Sequence, residues 1–391
     1  MKPIHRVAVL GAGTMGARIA AQFANAGVPS YLLDIVPAGS EGPDRNKIAA
    51  AGLDAAKKSK PAAFMDASLA RLVTTGNFED DLKKLAEVDW IIEAVVENLD
   101  LKRALLRKVE AVRKPGTVIT TNTSGLPVGK IAEGFSKDFR RNWFGTHFFN
   151  PPRYMRLLEI IPTPEADPAA IDAVSHFCDV HLGKGVVRAK DTPNFIGNRI
   201  GTFSVLNVMR LMQEMDLSVE EVDALTGQAV GWPRSATFRT IDLVGLDILG
   251  HVVGNMKEDV EGRRGHTNQL PDFYQKMLER KWLGDKTKGA DGEVNVVPLL
   301  LLNGHEQQHE IRTDGKIGRV VADDERVECV ARATELQGLR NELHNVGAQG
   351  VHLGVKLDTP HAISQIHKRD AGVLLDHTLR LLGYFHRPDT V

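Results

Sequence analysis

The sequence predicts an α/β fold in three parts. A doubly wound, mostly parallel sheet covers residues 1–188, an all-helical domain covers 189–289, and a tail covers 290–391. Three observations predict it. Gly11, Gly13 and Gly16 stand in G-x-G-x-x-G spacing between an apolar run and a helical period. Short apolar runs then alternate with helical segments as far as Ala189. After Pro193 strand signals vanish while helical periodicity persists.

The elements follow in order. Val7–Leu10 reads as a buried strand and Ala17–Ala24 as a helix without a breaker. Tyr31–Leu33 is a second strand, ending at Asp34. Asn46–Lys60 is an alanine-rich helix with Lys57, Lys58 and Lys60 at its end. Arg71–Thr75 reads as a strand, Asp80–Ala86 as a helical turn and Asp89–Val96 as a buried parallel strand. Leu99–Arg113 is an amphipathic helix stopped by Lys114-Pro115-Gly116. The strands Thr117–Thr121, Asn142–Phe149, Met155–Ile161 and Gly185–Ala189 complete the sheet, with a helix at Pro168–Leu182. Beyond the boundary, Phe195–Met215, Val219–Val230, Phe238–Met256 and Pro271–Arg280 read as helices. In the tail apolar residues are scattered, and eight of the chain's fourteen histidines fall there, so a poorly ordered, divergent segment is expected.

Composition narrows the class. A net charge of −1 excludes a general polyanion-binding surface, so no nucleic-acid partner is expected. Two cysteines, Cys178 and Cys329, do not make a disulfide framework and fit a reducing compartment. The first apolar run is short and leads into a glycine turn, unlike a secretory leader. No run approaches the roughly 20 apolar residues of a membrane span. A soluble, cytoplasmic protein is expected.

The first strand, turn and helix form a dinucleotide-binding unit of the Rossmann type. Gly11 permits the turn, Gly13 lets a pyrophosphate approach the backbone, and Gly16 lets helix and strand pack closely. The helix start offers its free N–H groups to the phosphates. Asp34 lies 18 residues after Gly16, where a carboxylate accepts the ribose hydroxyls and repels a 2′-phosphate, so NAD is favoured over NADP.

Reactive groups belong at the carboxyl ends of later strands. Ser124, His147 and Glu159 stand at or near such ends. Ser124 has two readings, a helix N-cap or a substrate ligand. Glu159 is flanked by Leu157, Leu158, Ile160 and Ile161, and a carboxylate buried there needs a partner. His147, on a separate apolar strand, is the inferred partner. In the tail His305-Glu306-Gln307-Gln308-His309 matches H-E-x-x-H formally. Gly304 precedes it and no third ligand is visible, so no metal site is assigned.

Residues 5–288 closely resemble the L-3-hydroxyacyl-CoA dehydrogenase family. The resemblance rests on GAGTMG at Gly11–Gly16, EAVVENLDLK at Glu93–Lys102, NTSGL at Asn122–Leu126, GTHFFNPP at Gly145–Pro152, LLEII at Leu157–Ile161 and DTPNFIGNRI at Asp191–Ile200. It is also similar to the dehydrogenase part of the multifunctional β-oxidation enzymes. The resemblance implies NAD-dependent oxidation of an acyl-CoA substrate, with His147 as general base and Glu159 orienting it. It implies that Ser124 and Asn198 bind substrate near the reacting oxygen. Thr14, Met15, Glu97, Lys102, Asn122 and Asn150 are placed around the cofactor, with Asn150 also holding the site's geometry. Lys57 and Lys58 are placed near the CoA phosphates, although a solvated helix end is the stronger reading for them. A homodimer through the helical domain is implied as well, as is closure of that domain with Pro193–Arg199 as the hinge. Two alternatives stay open, a short-chain 3-hydroxybutyryl-CoA enzyme and a non-catalytic NAD-binding relative. The match departs after Gly289, where Ala290-Asp291 replaces the family's glycine-aromatic ending.

Overall fold

The structure is a computed structural model that describes residues 3–254 and 270–287. The tail from residue 290, its histidines and its H-E-x-x-H match lie outside the described residues. Backbone contacts divide the chain into two compact units, the first ending at Arg199 and the second beginning at Ile200.

In the first unit one sheet contains eight strands: β1 (Val7–Leu10), β2 (Ser30–Asp34), β3 (Val73–Asn77), β4 (Trp90–Glu93), β5 (Val118–Thr121), β6 (Trp143–Phe148), β7 (Leu157–Pro162) and β8 (Gly185–Arg188). Their order across the sheet is β3-β2-β1-β4-β5-β6-β7-β8. The strands from β3 to β6 pair in parallel. β7 then runs antiparallel to β6, and β8 runs parallel to β7. The doubly wound, mostly parallel sheet is therefore present, with its last two strands reversed.

Alternate residues of β1 enter different cores. Val7 and Val9 join the cluster of α1 (Thr14–Asn25), α2 (Lys47–Lys58) and α6 (Pro168–Val180). Ala8 and Leu10 join that of α3 (Leu99–Val112), α4 (Val128–Ile131) and α5 (Lys137–Arg141). Both faces of the central strands are covered, which is why they read as unbroken apolar runs rather than alternating ones.

Local differences from the expected elements have local causes. β3 begins two residues later than expected because Ala67–Leu72 closes as a 3-10 turn, capped by the Asp66 carboxylate on the Ser68 N–H. α7 (Gly197–Glu214), within which the units divide, is followed by α8 (Val219–Thr226) and a separate 3-10 turn at Gln228–Val230. The single helix expected over 238–256 is two, α9 (Phe238–Val244) and α10 (Leu246–Gly254), divided at Gly245 with φ of 101°. That left-handed backbone breaks the helical hydrogen-bond run. α11 (Asp272–Glu279) completes the described helices, and α7 to α11 share one apolar cluster.

One carboxylate in this second unit works against it. Burial pushes Asp242 up to about 6, against the weaker pull of Arg239. Its Oδ1 has no hydrogen-bond partner among the described residues. The folded unit holds that proton more tightly than the unfolded chain does, so stability falls as pH rises from about 4 to about 6. Asp242→Asn is expected to be more stable at pH 7 by about 2 kcal/mol, with the gain vanishing below about pH 4. Thermal unfolding of both proteins between pH 4 and 7 checks this. Equal melting curves throughout would place Asp242 in contact with water.

Candidate active site

The glycine turn comes first. Gly11 has φ of 102°, and a Cβ there would lie 2.6 Å from the Ala94 carbonyl oxygen. A Cβ on Gly16 would lie 1.8 Å from the Gly11 oxygen. Gly13 is the opposite case: it is exposed, and a Cβ would meet nothing within 4 Å. No side chain caps α1, and its first turn carries no acidic residue. Thr14 and Met15 follow in that first turn. A helix start left open, with a bare glycine before it, fits a pyrophosphate bound on free N–H groups. Asp34 closes the turn from β2, its Oδ2 accepting from the Ala12 N–H at 2.5 Å and its Oδ1 from Ile35 N–H at 2.6 Å.

The second cluster stands at the ends of β6 and β7. Antiparallel register sets His147 directly opposite Glu159. Side chains so placed project on one face, within reach of each other. Nδ1 of His147 lies 2.7 Å from Oε2 of Glu159. Oε1 of the same carboxylate accepts the N–H groups of Ile196 at 2.9 Å and Gly197 at 2.7 Å. These two amides lie at the start of α7, where a negative charge is favoured. Burial pushes Glu159 up, but the His147 ring and the two backbone N–H groups outweigh it and hold the carboxyl below its usual range. An ionised carboxylate only accepts, so the ring carries a proton on Nδ1, and the neutral tautomer this selects has its lone pair on Nε2. Phe149 and Phe195 stand beside the ring, with centroids 4.5 and 5.5 Å away. Phe149 fits there because residue 197 is glycine: a Cβ would come 2.7 Å from its ring. Asn198, half-buried, is the next residue of α7.

Between the two clusters lies the turn after β5. The Asn122 Oδ1 accepts the Phe148 N–H at 2.9 Å and so ties β5 to β6. Ser124 does not cap a helix, since Pro127 occupies the cap of α4. Its N–H and that of Gly125 instead donate to Glu97 Oε1, at 3.0 and 2.9 Å. The Thr123 hydroxyl donates to the same oxygen. Burial raises the Glu97 carboxyl, but the Lys102 ammonium, the Thr123 hydroxyl and the Gly125 N–H bring it below the usual range. Lys102 lies inside this cluster. It is 1% exposed, and its ammonium is held by Glu93 Oε1 at 2.7 Å, the Val95 carbonyl at 3.2 Å and Glu97 Oε2 at 3.3 Å. Asn150 accepts from Arg18 of α1 at 2.5 Å, which joins the loop after β6 to the dinucleotide helix. Lys57 and Lys58 are exposed at the end of α2, Lys57 paired with Asp54 at 3.0 Å, away from the residues just described in hydrogen bonding.

Three contributors escaped sequence reading. Glu93 ends the apolar run of β4, and the criterion that singled out Glu159 applies to it equally. Arg18 is the one charged residue of α1, on the helix side it shares with Thr14, Gln22 and Asn25. Lys184 has no signal in sequence. Its ammonium donates to the Pro152 and Met155 carbonyls, pinning the β6–β7 connection, and burial lowers it to about 8.

Comparison with known proteins identifies the family. The family model of the 3-hydroxyacyl-CoA dehydrogenase NAD binding domain matches residues 6–192, and that of the family's C-terminal domain matches residues 195–290. The chain belongs to the 3-hydroxyacyl-CoA dehydrogenase family. It is an NAD-dependent oxidoreductase by that membership. The "Probable 3-hydroxyacyl-CoA dehydrogenase" of Deinococcus radiodurans is 50% identical over 73% of this chain and 81% of its own length. A protein of the same description from Bacillus subtilis is 45% identical over 73% of this chain, which spans 38% of that longer relative. Among solved structures, FadB2 of M. tuberculosis superposes with a TM-score of 0.62 at 30% identity, over 73% of this chain and 97% of that one. For this dehydrogenase family member the matched regions meet between residues 192 and 195, a few residues before the division of the compact units at Arg199. No described helix is long and apolar enough to cross a membrane.

Proposed function

We propose that this chain oxidises an L-3-hydroxyacyl-CoA to the 3-oxoacyl-CoA in fatty-acid β-oxidation, with His147 as general base and Glu159 orienting it. The observation that carries the reading is the 2.7 Å contact between His147 Nδ1 and a fully buried Glu159. Nε2 takes the proton of the 3-hydroxyl, and the imidazolium that forms lies against the ionised Glu159. NAD, when bound, supplies the acceptor for the hydride that leaves C3. Gly13 and the open start of α1 hold its pyrophosphate, and Asp34 accepts the adenosine ribose hydroxyls. Ser124 and Asn198 hydrogen-bond the substrate beside its reacting oxygen. Asn150, held by Arg18, keeps the loop after β6 in place. Exposed Leu243, Val244 and Ile248 in the second unit support a homodimer formed through that unit. Buried, unpaired Cys178 supports a reducing, cytoplasmic setting.

Oxidation of NADH by the purified chain with acetoacetyl-CoA tests the reading, and longer 3-oxoacyl-CoA substrates then define the chain length. NADH binding without turnover would favour a non-catalytic relative. Cofactor choice gives a separate prediction. Asp34→Asn removes the charge that meets the ribose, so kcat/KM with NADH falls about tenfold while that with NADPH rises. Steady-state rates with the two cofactors decide it, and an unchanged preference would remove Asp34 from ribose recognition.

A further inference from the structure

Glu93 is 0% exposed, and both of its carboxylate oxygens are engaged. Oε1 accepts the Val95 N–H and the Lys102 ammonium, each at 2.7 Å, and Oε2 accepts the Thr121 hydroxyl at 2.7 Å. Lys102 spends its remaining donors on Val95 and on Glu97. Glu97 in turn is wrapped by the hydroxyl of Thr123 and the amides of Ser124 and Gly125. The chain of contacts therefore runs from the end of β4, through the first turns of α3, to the turn that carries Ser124. One ammonium between two carboxylates is an expensive arrangement to bury, and replacing such groups by apolar ones is often neutral or stabilising. Stability alone thus gives little reason for it. What it does supply is direction: Lys102 cannot swing away from Glu97 while Glu93 and Val95 hold it, and Glu97 cannot release three donors without losing its place.

We propose that Glu93 is a positioning residue for substrate, acting through Lys102 and Glu97 to hold the Thr123–Gly125 turn and with it Ser124. This rests on the reading of Ser124 as a substrate ligand. Glu93 touches neither substrate nor cofactor. Its effect is geometric, since a shift of about 1 Å in a group that orients substrate costs about a hundredfold in rate.

The test is a double-mutant cycle. Glu93→Gln leaves a buried ammonium short of one partner, and Lys102→Met leaves two carboxylates without their cation, so both single variants are expected to unfold at lower temperature. The double variant E93Q/K102M removes the Glu93 and Lys102 charges together, leaves Glu97 held by the Thr123 hydroxyl and the two amides, and is expected to recover most of that loss. Its activity is expected not to recover: kcat/KM for acetoacetyl-CoA stays about a hundredfold below the parent. Hydrogen exchange at the Ser124 and Gly125 amides is expected to be faster in the double variant, at a Tm close to the parent's. A purely structural role for Glu93 predicts instead that activity and amide protection return together with Tm, and that result overturns the proposal. If the parent chain itself fails to turn over acetoacetyl-CoA, the proposed reaction is lost. The amide protection still decides whether Glu93 holds the turn.

Discussion

His147→Gln is expected to lower kcat for NADH-dependent reduction of acetoacetyl-CoA by about a thousandfold, with little change in Tm or in NADH affinity. In the reducing direction the imidazolium returns the proton that Nε2 takes in oxidation. A glutamine amide can still donate an N–H to Glu159, so the buried carboxylate keeps a partner and the fold keeps its register. What it cannot do is exchange a proton near neutral pH. Glu159→Gln acts one step removed. It leaves the base in place but removes the charge that fixes its tautomer and stabilises its protonated form, so a smaller loss, about a hundredfold, is expected. Stopped-flow and steady-state rates of the two variants check the order. A His147→Gln protein with rates near the parent's would remove this histidine from the chemistry.

Gly16→Ala and Gly13→Ala are expected to separate folding from cofactor binding. The Cβ added at Gly16 would stand 1.8 Å from the Gly11 oxygen and 3.4 Å from Val9 Cγ1. Backbone must move to admit it, so a loss of about 3 kcal/mol in stability is expected, and with it the shape of the phosphate turn. The Cβ added at Gly13 meets nothing. Stability should hold, while NADH affinity falls about tenfold or more because a methyl group now occupies the approach to the first N–H groups of α1. Thermal unfolding with fluorescence titration of NADH measures both effects. Two variants with equal Tm and equal affinity would mean that the turn is not the phosphate site.

Much of the dinucleotide half was legible in sequence because its signals are local. An apolar run, three glycines, a helical period and an acid at the end of the next strand all fall between Val7 and Asp34. Tight turns and close packing permit few residue types, so the pattern carries its own geometry. The second half of the site was legible as chemistry, and the partnership of His147 and Glu159 could be inferred, but not the strand direction and register that bring them together. His147 and Glu159 stood out because each is an ionisable residue in an apolar strand, and Ser124 because it follows one. Glu93 was missed because nothing local tells which charges face each other inside the protein. The helix break at Gly245 also went unread, since a glycine within an apolar period is compatible with either continuity or a turn.

The sequence by itself determined the alternation of strands and helices, the glycine turn, the preference for NAD and the residue types at the site. These follow from periodicity and from steric limits that act within a few residues. The tertiary structure decided that β7 runs back along β6 with His147 opposite Glu159, that the start of α7 donates two N–H groups to that carboxylate, and that Lys102 turns inward between Glu93 and Glu97. Strand direction and register are set by which apolar faces can be buried together across the whole sheet. A shift of one residue in β7 would have turned Glu159 to the opposite face.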